Sequence, residues 1–516
     1  MAEGGSSINT TRESSVDSEV VKLKVKQKDC ELTVTQTELS WTIKDQKKNG
    51  TFSVRRRDLV AVKTKEDVKN KDSTVLTVVY VKQQKDFVLK RCEESFSGSN
   101  SVCLAVAKTL QDGINQCADR PKRLLVLINP ISGFSRGEKN YKNICAPIFE
   151  EAGIQTDVIV TARAHHTEDI LSTYDLSSID GITLVGGDGL FHEAANGIVR
   201  RMAAETGSDI KNLEFSPMEF TIPMALIPCG TGNGVAKQFL GNYDISTAAY
   251  AIVIGFRSKA NICSVFSEGR LLSYSVLLVG YGVWGDIIYA AETKRHLGVL
   301  RYPASFLSLL FGRFRTLKLK IDIKAPLEFL ERNSATMACL EQPTASGINY
   351  NGKETDIDTP GQDSEPEPKK RDESEQGSNF TSYEGYFTGA IVFVEPLSSF
   401  VNMFINPTQE AVTNVTQIYM SKPCRKFKFF KSTFQLLDLK SEIVNKPAEP
   451  FLEIFFNELK LRLLDPQEAT SESGRKELIL NIDGEITRLE QSEIHIKMFP
   501  QRIPLFCNIP AIVGRY

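Results

Sequence analysis

Apolar and polar positions alternate with a period of two along residues 21–89, and this alternation predicts half-buried β-strands. The clearest examples are residues 31–35, 39–43, 58–62 and 74–80. The pattern changes to that of a helix over residues 101–114. Residues 21–118 are therefore expected to form a small β module closed by one helix.

Residues 120–257 alternate strand and helix patterns, as in a parallel α/β sheet with right-handed crossovers. Buried strands are predicted at the continuous apolar runs 124–128, 181–185 and 224–228. Beyond residue 259 the pattern favours strands, interrupted by helical segments near 286–295 and 304–311. The strands are expected at 262–266, 271–279, 317–323, 389–394, 451–456, 478–482 and 494–498. A second, mostly β domain with a sandwich-like core is expected over residues 259–516.

Two segments lack any apolar period. Residues 1–20 are rich in Ser, Thr and Glu, and residues 342–377 are of low complexity. Both are expected to be disordered, the second as an insertion in a loop of the β domain.

Composition excludes several classes of protein. The 516 residues leave room for two or three domains, and the formal net charge of -2 lacks the basic excess of a nucleic-acid-binding protein, so no nucleic-acid partner is expected. The ten cysteines are scattered without a CxxC pair, which favours a reducing compartment and argues against structural zinc. No apolar run reaches transmembrane length, and the N-terminus lacks the apolar core of a signal peptide.

The most specific motif follows the second apolar run. Gly186-Gly187-Asp188-Gly189 is a turn of three glycines and one carboxylate, and residues 190–199 after it have helical periodicity. Glycine allows a tight turn and close approach to a phosphate, and a helix N-terminus favours an anion at the same point. Together they predict a phosphoryl-transfer site.

Two further strand ends carry turns with amide side chains or glycines. Asn129-Pro130 follows the first apolar run, and Gly230-Thr231-Gly232-Asn233 follows the third. Because the carboxyl ends of parallel strands meet at one edge of a sheet, these turns and Asp188 are expected to share a ligand crevice.

These motifs resemble, in their order and spacing, the diacylglycerol-kinase-type catalytic domain, and in particular its sphingolipid branch of ceramide and sphingosine kinases. The resemblance extends from about residue 120 to about residue 302 and resumes at Asn481-Ile482-Asp483-Gly484-Glu485. It implies a Rossmann-like parallel α/β nucleotide-binding domain and a β-rich lipid-binding domain. The implied reaction is transfer of the γ-phosphoryl of ATP to a primary lipid hydroxyl, with ATP and Mg²⁺ as cofactors and the metal ligands unassigned.

The resemblance assigns roles to individual residues. Asp188 is the candidate catalytic base that accepts the proton of the hydroxyl. The candidate nucleotide-binding residues are Asn129, Thr161, Gly186, Gly187, Gly189, Glu193, Gly230, Thr231, Asn233, Arg295, Arg301, Asp483 and Glu485. The two arginines are invoked because the chain lacks the phosphate-binding lysine of a Gly-x4-Gly-Lys-Ser/Thr motif.

Each assignment has a structural alternative. Asp188 could cap a helix, the Asn and Thr side chains could stabilise turns, and the arginines could lie on a solvated helix face. Asp483-Gly484 could be the turn of a hairpin. His192 is expected to be a packed or partly exposed histidine rather than a catalytic one.

One electrostatic argument bears on the lipid. Sphingosine carries an amine cation, which needs a nearby carboxylate in an apolar pocket, whereas ceramide carries a neutral amide. Of the two family aspartates in the candidate substrate-binding segment, the first is present as Asp286 and the second position is Ile288. Ceramide is therefore the expected substrate. Sphingosine stays an alternative, because the turn from Gly230 to Asn233 is closer to that group. A diacylglycerol kinase and a non-catalytic lipid-binding homologue are further alternatives.

The resemblance also bears on the N-terminal module and on location. Both kinase groups can carry a pleckstrin-homology-like extension, so residues 21–118 are expected to form such a module or a β domain without a lipid role. The protein is expected in the cytoplasm, with peripheral membrane contact through its sphingolipid substrate. Its oligomeric state is left open.

Overall fold

The computed structural model describes residues 19–43, 50–67, 70–310, 314–338, 380–396, 414–437, 450–465, 478–489 and 493–507. Residues 1–18 and 342–377, where disorder is expected, lie outside the described residues, whereas residues 19 and 20 begin a strand. The chain divides into two compact units. The first unit comprises residues 1–122, 146–155 and 249–255, and the second comprises residues 123–145, 156–248 and 256–516.

The first unit contains one antiparallel sheet of seven strands in the order β4-β3-β2-β1-β7-β6-β5. The strands are β1 (Glu19–Val25), β2 (Lys28–Val34), β3 (Glu38–Ile43), β4 (Gly50–Arg55), β5 (Leu59–Asp67), β6 (Asn70–Gln83) and β7 (Leu89–Ser99). Helix α1 (Asn100–Asn115) buries Cys103, Val106, Leu110 and Ile114 in the core of this sheet, at helical spacing. The predicted strands and closing helix are confirmed, and the pleckstrin-homology-like character stays a prediction.

The second unit begins with strands that carry the glycine turns. They are β8 (Arg123–Ile128), β9 (Gln155–Val160), β10 (Gly181–Gly186) and β11 (Met224–Pro228). Their order is β9-β8-β10-β11, and β10 is parallel to both β8 and β11. The direction in which strands are added therefore reverses between β8 and β10. Open α/β sheets bind ligands at such a switch point, outside the carboxyl ends of the strands.

The helices in this part of the chain are short, apart from the one that follows β10. They are α2 (Ser132–Ser135), α3 (Gly137–Asn140), α4 (Ala146–Glu151), α5 (His166–Thr173), α6 (Asp188–Thr206), α7 (Gly234–Leu240) and α8 (Ile245–Ile254). Helix α6 starts directly at the glycine-aspartate turn, as the periodicity predicted.

The rest of the chain is mostly β. Its strands are β12 (Arg257–Ser267), β13 (Arg270–Ser275), β14 (Leu278–Gly282), β15 (Leu317–Lys324), β16 (Thr381–Phe387), β17 (Gly389–Phe393), β18 (Thr416–Ser421), β19 (Phe451–Phe456), β20 (Glu458–Leu463), β21 (Leu478–Ile482), β22 (Glu485–Leu489) and β23 (Glu493–Phe506). Its helices are α9 (Val283–Glu292), α10 (Arg301–Leu310), α11 (Leu327–Ala338) and α12 (Lys426–Leu437).

Two sheets enclose the core of this β-rich part. One is a six-stranded antiparallel sheet in the order β19-β18-β17-β14-β21-β22. The other contains β16-β15-β20-β23 together with β12 and β13. Alternate residues of β15 and β19 belong to the same apolar core cluster, namely Leu317, Leu319, Ile321, Ile323, Leu452, Ile454 and Phe456. This alternation is typical of sheets packed face to face.

Strand β23 joins the α/β part to the β-rich part. It pairs in parallel with β11 at Leu505 and antiparallel with β12, so one ten-stranded sheet runs through both. The sequence analysis expected two domains with a boundary near residue 258 and did not predict this continuity. Strands that pair from opposite ends of a chain leave no local sequence signal.

Two predicted elements have different boundaries in the structure. The expected strand 271–279 is divided into β13 and β14, and the expected helix 286–295 lies earlier, at Val283–Glu292. Of the helices that the structure describes, none is both long enough and apolar enough to cross a membrane.

A half-buried carboxylate links helix α4 to the sheet within the first unit. Glu151 accepts two hydrogen bonds from Arg91, at 2.9 and 2.8 Å, and one from Lys63 at 2.7 Å. The hydrogen bonds from Arg91 are the main reason why the pKa of Glu151 falls from 4.5 to about 2, against the opposing effect of burial.

Replacing Glu151 with Gln should lower the free energy of unfolding at pH 7 by about 1 kcal/mol, because the charge-assisted bonds are lost. A carboxylate with a depressed folded-state pKa contributes stability above its unfolded pKa, and that contribution is lost as the pH falls from 4.5 towards 2. Denaturant unfolding across this range should therefore show the difference shrinking. The control is Glu93→Gln, which removes a more exposed partner of the same arginine. An equal effect of both substitutions at pH 7 would contradict this account.

Candidate active site

Glycine turns at the carboxyl edge of the parallel strands touch through their backbones. A Cβ atom on Gly230 would lie 2.4 Å from Cα of Gly187, and a Cβ atom on Gly133 would lie 2.1 Å from the carbonyl oxygen of Cys229. No side chain fits at these distances, so glycine is required where the turns after β8, β10 and β11 pack together. The structure thus brings together the three turns that the sequence analysis placed at one crevice.

Asp188 is the first residue of α6, but its side chain bonds to a different helix. The N–H group of Gly234 donates to Oδ2 at 2.9 Å, and the N–H group of Val235 donates to Oδ1 at 3.0 Å. The carboxylate therefore caps α7 rather than its own helix. Since a carboxylate has about four acceptor sites, these bonds orient Asp188 and leave capacity for a substrate hydroxyl.

Burial raises the pKa of Asp188 above the ordinary value of an aspartate, and the negative charge of Asp483 adds to this shift. The N–H groups of Gly234 and Val235 act in the opposite direction. A carboxylate that is held in place and has a raised pKa suits proton transfer.

The N-terminus of α6 is available to an anion. Its N-cap is Gly187, a residue with no side chain that could cap the helix. The first N–H groups of a helix lack partners within the helix, and together with the helix dipole they favour a phosphate. A Cβ atom on Gly189 would have Oε1 of Glu485, at 3.5 Å, as its nearest neighbour. The exposed Glu485 thus lies beside this turn.

The carboxylate of Asp483 is completely buried, and protein donors surround it. His192 Nδ1 lies 2.9 Å from Oδ2, and the Ser275 hydroxyl donates to Oδ1 at 2.6 Å. The remaining donors are the N–H groups of Val276, Leu277 and Leu278, at 2.8, 3.0 and 2.9 Å. Because these five donors occupy the acceptor capacity of the carboxylate, the expectation that Asp483 binds nucleotide directly finds no support in the geometry.

The other side of the His192 ring is also bonded. Nε2 lies 3.0 Å from the hydroxyl of Ser273 and 3.4 Å from the amide nitrogen of Asn196. Burial alone favours the neutral imidazole, but the Asp483 carboxylate outweighs it and raises the pKa of His192. Burial likewise tends to raise the pKa of Asp483, but the hydrogen bonds, first that of His192, lower it. Both pKa shifts favour the ion-paired form of this buried hydrogen bond, a role that the sequence analysis did not assign to His192.

The hairpin alternative is correct for Asp483 and Gly484. Both residues have positive φ, +53° and +98°, in the two-residue turn that joins the antiparallel strands β21 and β22. Asp-Gly is the sequence preferred in such turns. The turn places the buried Asp483 and the exposed Glu485 on the same short hairpin.

Two other predicted ligands, Glu193 and Asn233, make hydrogen bonds within the protein. Glu193 accepts the N–H groups of His165 and Thr167, at 3.0 and 3.3 Å, next to the start of α5. Asn233 closes its turn on Gly230 through both its amide oxygen and its amide nitrogen, each at 2.9 Å. The geometry therefore agrees with the turn-stabilising alternative for Asn233, and the nucleotide contacts of Glu193 and Asn233 stay predictions.

Asn129 and Thr161 lie next to each other at the sheet edge. The Asn129 side-chain oxygen accepts a hydrogen bond from the N–H of Ile131 at 3.1 Å, which stabilises the turn. The same bond fixes the orientation of the Asn129 side-chain amide. The N–H of Thr161 donates to the carbonyl of Ile128 at 2.8 Å, and its side chain is buried. Thr231 is half-buried in the third turn. Nucleotide contacts of these residues stay predictions.

The segment expected to bind lipid and phosphates contains two ion pairs. Asp286 accepts a hydrogen bond from Arg315 at 2.8 Å, and Arg301 lies 3.0 Å from Glu292. Burial raises the pKa of Asp286, and Arg315 acts in the opposite direction. Ile288 is half-buried two positions after Asp286 on α9, so the two side chains leave the helix in different directions. The side chain of Arg295 lies outside the described part of the structure.

The sequence analysis missed one aromatic residue of this site. Tyr243 follows α7, and its side chain is 54% exposed. Burial raises the pKa of its phenol, and the negative charge of Asp188 adds to the effect. Lys237 Nζ lies 5.7 Å from the centre of the Tyr243 ring. No sequence pattern marks a tyrosine in a loop as a neighbour of Asp188.

The described residues contain no group of three or more His, Cys, Asp or Glu side chains that could hold a metal ion. Mg²⁺ in phosphoryl-transfer sites is usually bound by one or two carboxylates together with substrate phosphates. The exposed Glu485 beside the Gly189 turn fits a metal ion that arrives with a nucleotide.

Comparison with known proteins agrees with this geometry. Residues 123–265 match the family described as diacylglycerol kinase catalytic domain. Over these residues the chain is similar to a diacylglycerol kinase catalytic domain. This domain includes Asn129, the Asp188 turn and the turn at Gly230, and the expected resemblance is confirmed.

Named relatives are sphingolipid kinases. The chain is 33% identical to mouse ceramide kinase over 49% of its own length and 50% of the relative, and 37% identical to human ceramide kinase over 40% and 38%. It is 31% identical to sphingosine kinase 1 of Arabidopsis thaliana over 36% of each chain. The chain thus spans half or less of the length of these relatives.

Gly230→Ala should destabilise the protein by roughly 1–3 kcal/mol, because the added methyl group overlaps the Gly187 backbone. Chemical unfolding measures the loss. Gly189→Ala is the matched control, since its Cβ atom would make only ordinary contacts. Equal stability losses for the two variants would show that the turns do not pack as described.

Asp483→Asn should cost about 3 kcal/mol of unfolding free energy, since it places an amide donor among five donors and leaves His192 without its counter-charge. Glu485→Gln on the same hairpin is exposed and should change stability by less than about 0.5 kcal/mol. Equilibrium denaturation of both variants tests this, and a small loss for Asp483→Asn would remove the buried ion pair from the account.

Proposed function

We propose that the protein is an ATP-dependent lipid kinase that transfers the γ-phosphoryl group of ATP to the primary hydroxyl of a sphingolipid. The observation that carries the proposal is the pairing of two helix N-termini at the switch point. The N-terminus of α7 holds the Asp188 carboxylate, and the N-terminus of α6 has no side-chain cap and can accept a phosphate.

In the proposed reaction the lipid hydroxyl oxygen attacks the γ-phosphorus, and its proton passes to Asp188. The bond from phosphorus to the bridging oxygen breaks, and ADP leaves with that electron pair. The transition state is loose, so the site contributes mainly positioning and charge stabilisation. The N–H groups of Gly234 and Val235 keep the carboxylate aimed at the hydroxyl, while the first N–H groups of α6 stabilise negative charge on the transferred group.

Mg²⁺ bound with the nucleotide would neutralise charge on the phosphates, and Glu485 is proposed to hold it because its carboxylate lies beside the Gly189 turn. Arg301 and Arg295 are further proposed phosphate contacts. Because Arg301 already lies 3.0 Å from Glu292, a phosphate would share or replace this partner.

Ceramide is the proposed substrate, with ceramide 1-phosphate as the product. Helix α9 carries two carboxylates, and both are neutralised by arginine: Asp286 by Arg315 and Glu292 by Arg301. A sphingosine amine would find neither carboxylate unpaired, whereas a neutral amide needs no counter-charge. Sphingosine stays the second candidate, because of the Gly230–Asn233 turn and the similarity to a sphingosine kinase. A membrane-resident substrate implies peripheral membrane contact, which we propose from the cytoplasmic side.

The purified protein, supplied with labelled ATP and lipid micelles, should phosphorylate ceramide in preference to sphingosine and diacylglycerol. Product formation from each lipid is the measurement. Strong turnover of sphingosine without turnover of ceramide would show that sphingosine, not ceramide, is the substrate. No product from any lipid would favour a non-catalytic lipid-binding homologue.

Asp188→Asn should lower turnover by roughly 10³-fold, the usual contribution of a general base, while ATP affinity changes only a few-fold. Steady-state kinetics and direct ATP binding measure the two effects. Asp209→Asn, three residues beyond the C-terminal end of α6, is the control and should leave both unchanged. Parallel loss of turnover and affinity in Asp188→Asn would mean that the carboxylate only maintains the turn.

A further inference from the structure

His192 lies on the face of α6 that carries the candidate base. Asp188, His192 and Asn196 are spaced four residues apart, so their side chains leave the helix on one side. Asn196 bonds to the backbone of Tyr274 through both ends of its amide, at 3.0 Å each. One helical turn beyond His192, Asn196 therefore holds this face of α6 against strand β13.

His192 is also the connection from α6 to the β21–β22 hairpin. Its Nδ1 lies 2.9 Å from Oδ2 of Asp483, and both side chains are almost completely buried. Among the donors to Asp483, His192 is the only one that belongs to α6, since the others lie in residues 275–278.

The hairpin turn connects the buried Asp483 to the exposed Glu485 at the surface. Asp483 and Gly484 both have positive φ, and the N–H of Gly484 bonds to the side chain of Asn481 at 2.8 Å, which fixes a tight turn. The next residue, Glu485, has its Oε1 atom 3.5 Å from the position of a Cβ atom on Gly189. The location of the Glu485 carboxylate over the Asp188 turn therefore depends on where Asp483 is held.

We propose that His192 is a positioning residue for nucleotide binding, which acts through Asp483 to hold Glu485 beside the Gly189 turn. This inference rests on the proposed function and deepens it, because it assigns a role to a side chain that touches neither nucleotide nor lipid. Loss of a residue that positions a ligand-contacting side chain typically weakens ligand binding roughly tenfold to a hundredfold.

The test is a double-mutant cycle on ADP affinity, measured by calorimetry with Mg²⁺ present, together with KM for ATP and for lipid. His192→Gln should weaken ADP binding roughly tenfold and raise KM for ATP, while KM for lipid stays within about twofold. Glu485→Gln should have a similar effect. The double variant should bind ADP no more than about twofold more weakly than Glu485→Gln alone, because both changes act on one contact.

Two further variants keep the test decisive if His192→Gln folds poorly. Ser275→Ala removes one donor to Asp483, at 2.6 Å, and should give a smaller loss of ADP affinity that also disappears in the Glu485→Gln background. Glu205→Gln, in an exposed ion pair at the far end of α6, should leave ADP affinity unchanged.

The outcomes separate this inference from the proposed function. Losses that multiply in the double variant, or His192→Gln protein with lowered stability and unchanged ADP affinity, would overturn the positioning role alone. A wild-type protein that binds no ADP would overturn the proposed function, and the positioning role with it.

Discussion

The buried carboxylate of Asp483 is the interaction on which the arrangement of the candidate active site depends. A charge without access to water must be paired and fully hydrogen-bonded, or it is strongly destabilising. Its donors come from α6 and from the chain segment between β13 and β14, and Asp483 itself lies in the β21–β22 turn. Because one carboxylate requires all these groups at once, three distant segments of the chain are held in one relative position.

The two helix N-termini of the site have different tasks. Helix α7 gives its first N–H groups to Asp188 and so holds a negative charge in a partly buried position. Helix α6 has no side-chain cap and presents its N–H groups beside that charge. Positive helix ends and two carboxylates, Asp188 and Glu485, thus meet at one switch point. This combination suits an anion that carries its own cation, as a nucleotide with Mg²⁺ does.

The segment proposed to bind the lipid has a different chemistry. Helix α9 packs into an aromatic cluster, with the Trp284 ring 5.6 Å from the Phe429 ring of α12 and 6.1 Å from that of Phe451. Its carboxylates are paired with arginines, so the segment combines buried apolar side chains with neutralised charge. These surroundings are the basis on which we propose a substrate with an uncharged amide rather than one with a cationic amine.

The sequence by itself determined the local elements and the edge at which the site forms. Apolar runs that end in glycine turns predicted β8, β10 and β11, and the order of these motifs predicted one crevice and the family. Tertiary structure decided what the polar side chains do there. Asp188 bonds to α7, Glu193 to the start of α5, and Asp483 to His192, which is 291 residues away in the chain. Periodicity and turn preference report on neighbours within a few residues, whereas each of these bonds joins separate elements. Only the folded chain selects which donor reaches which carboxylate.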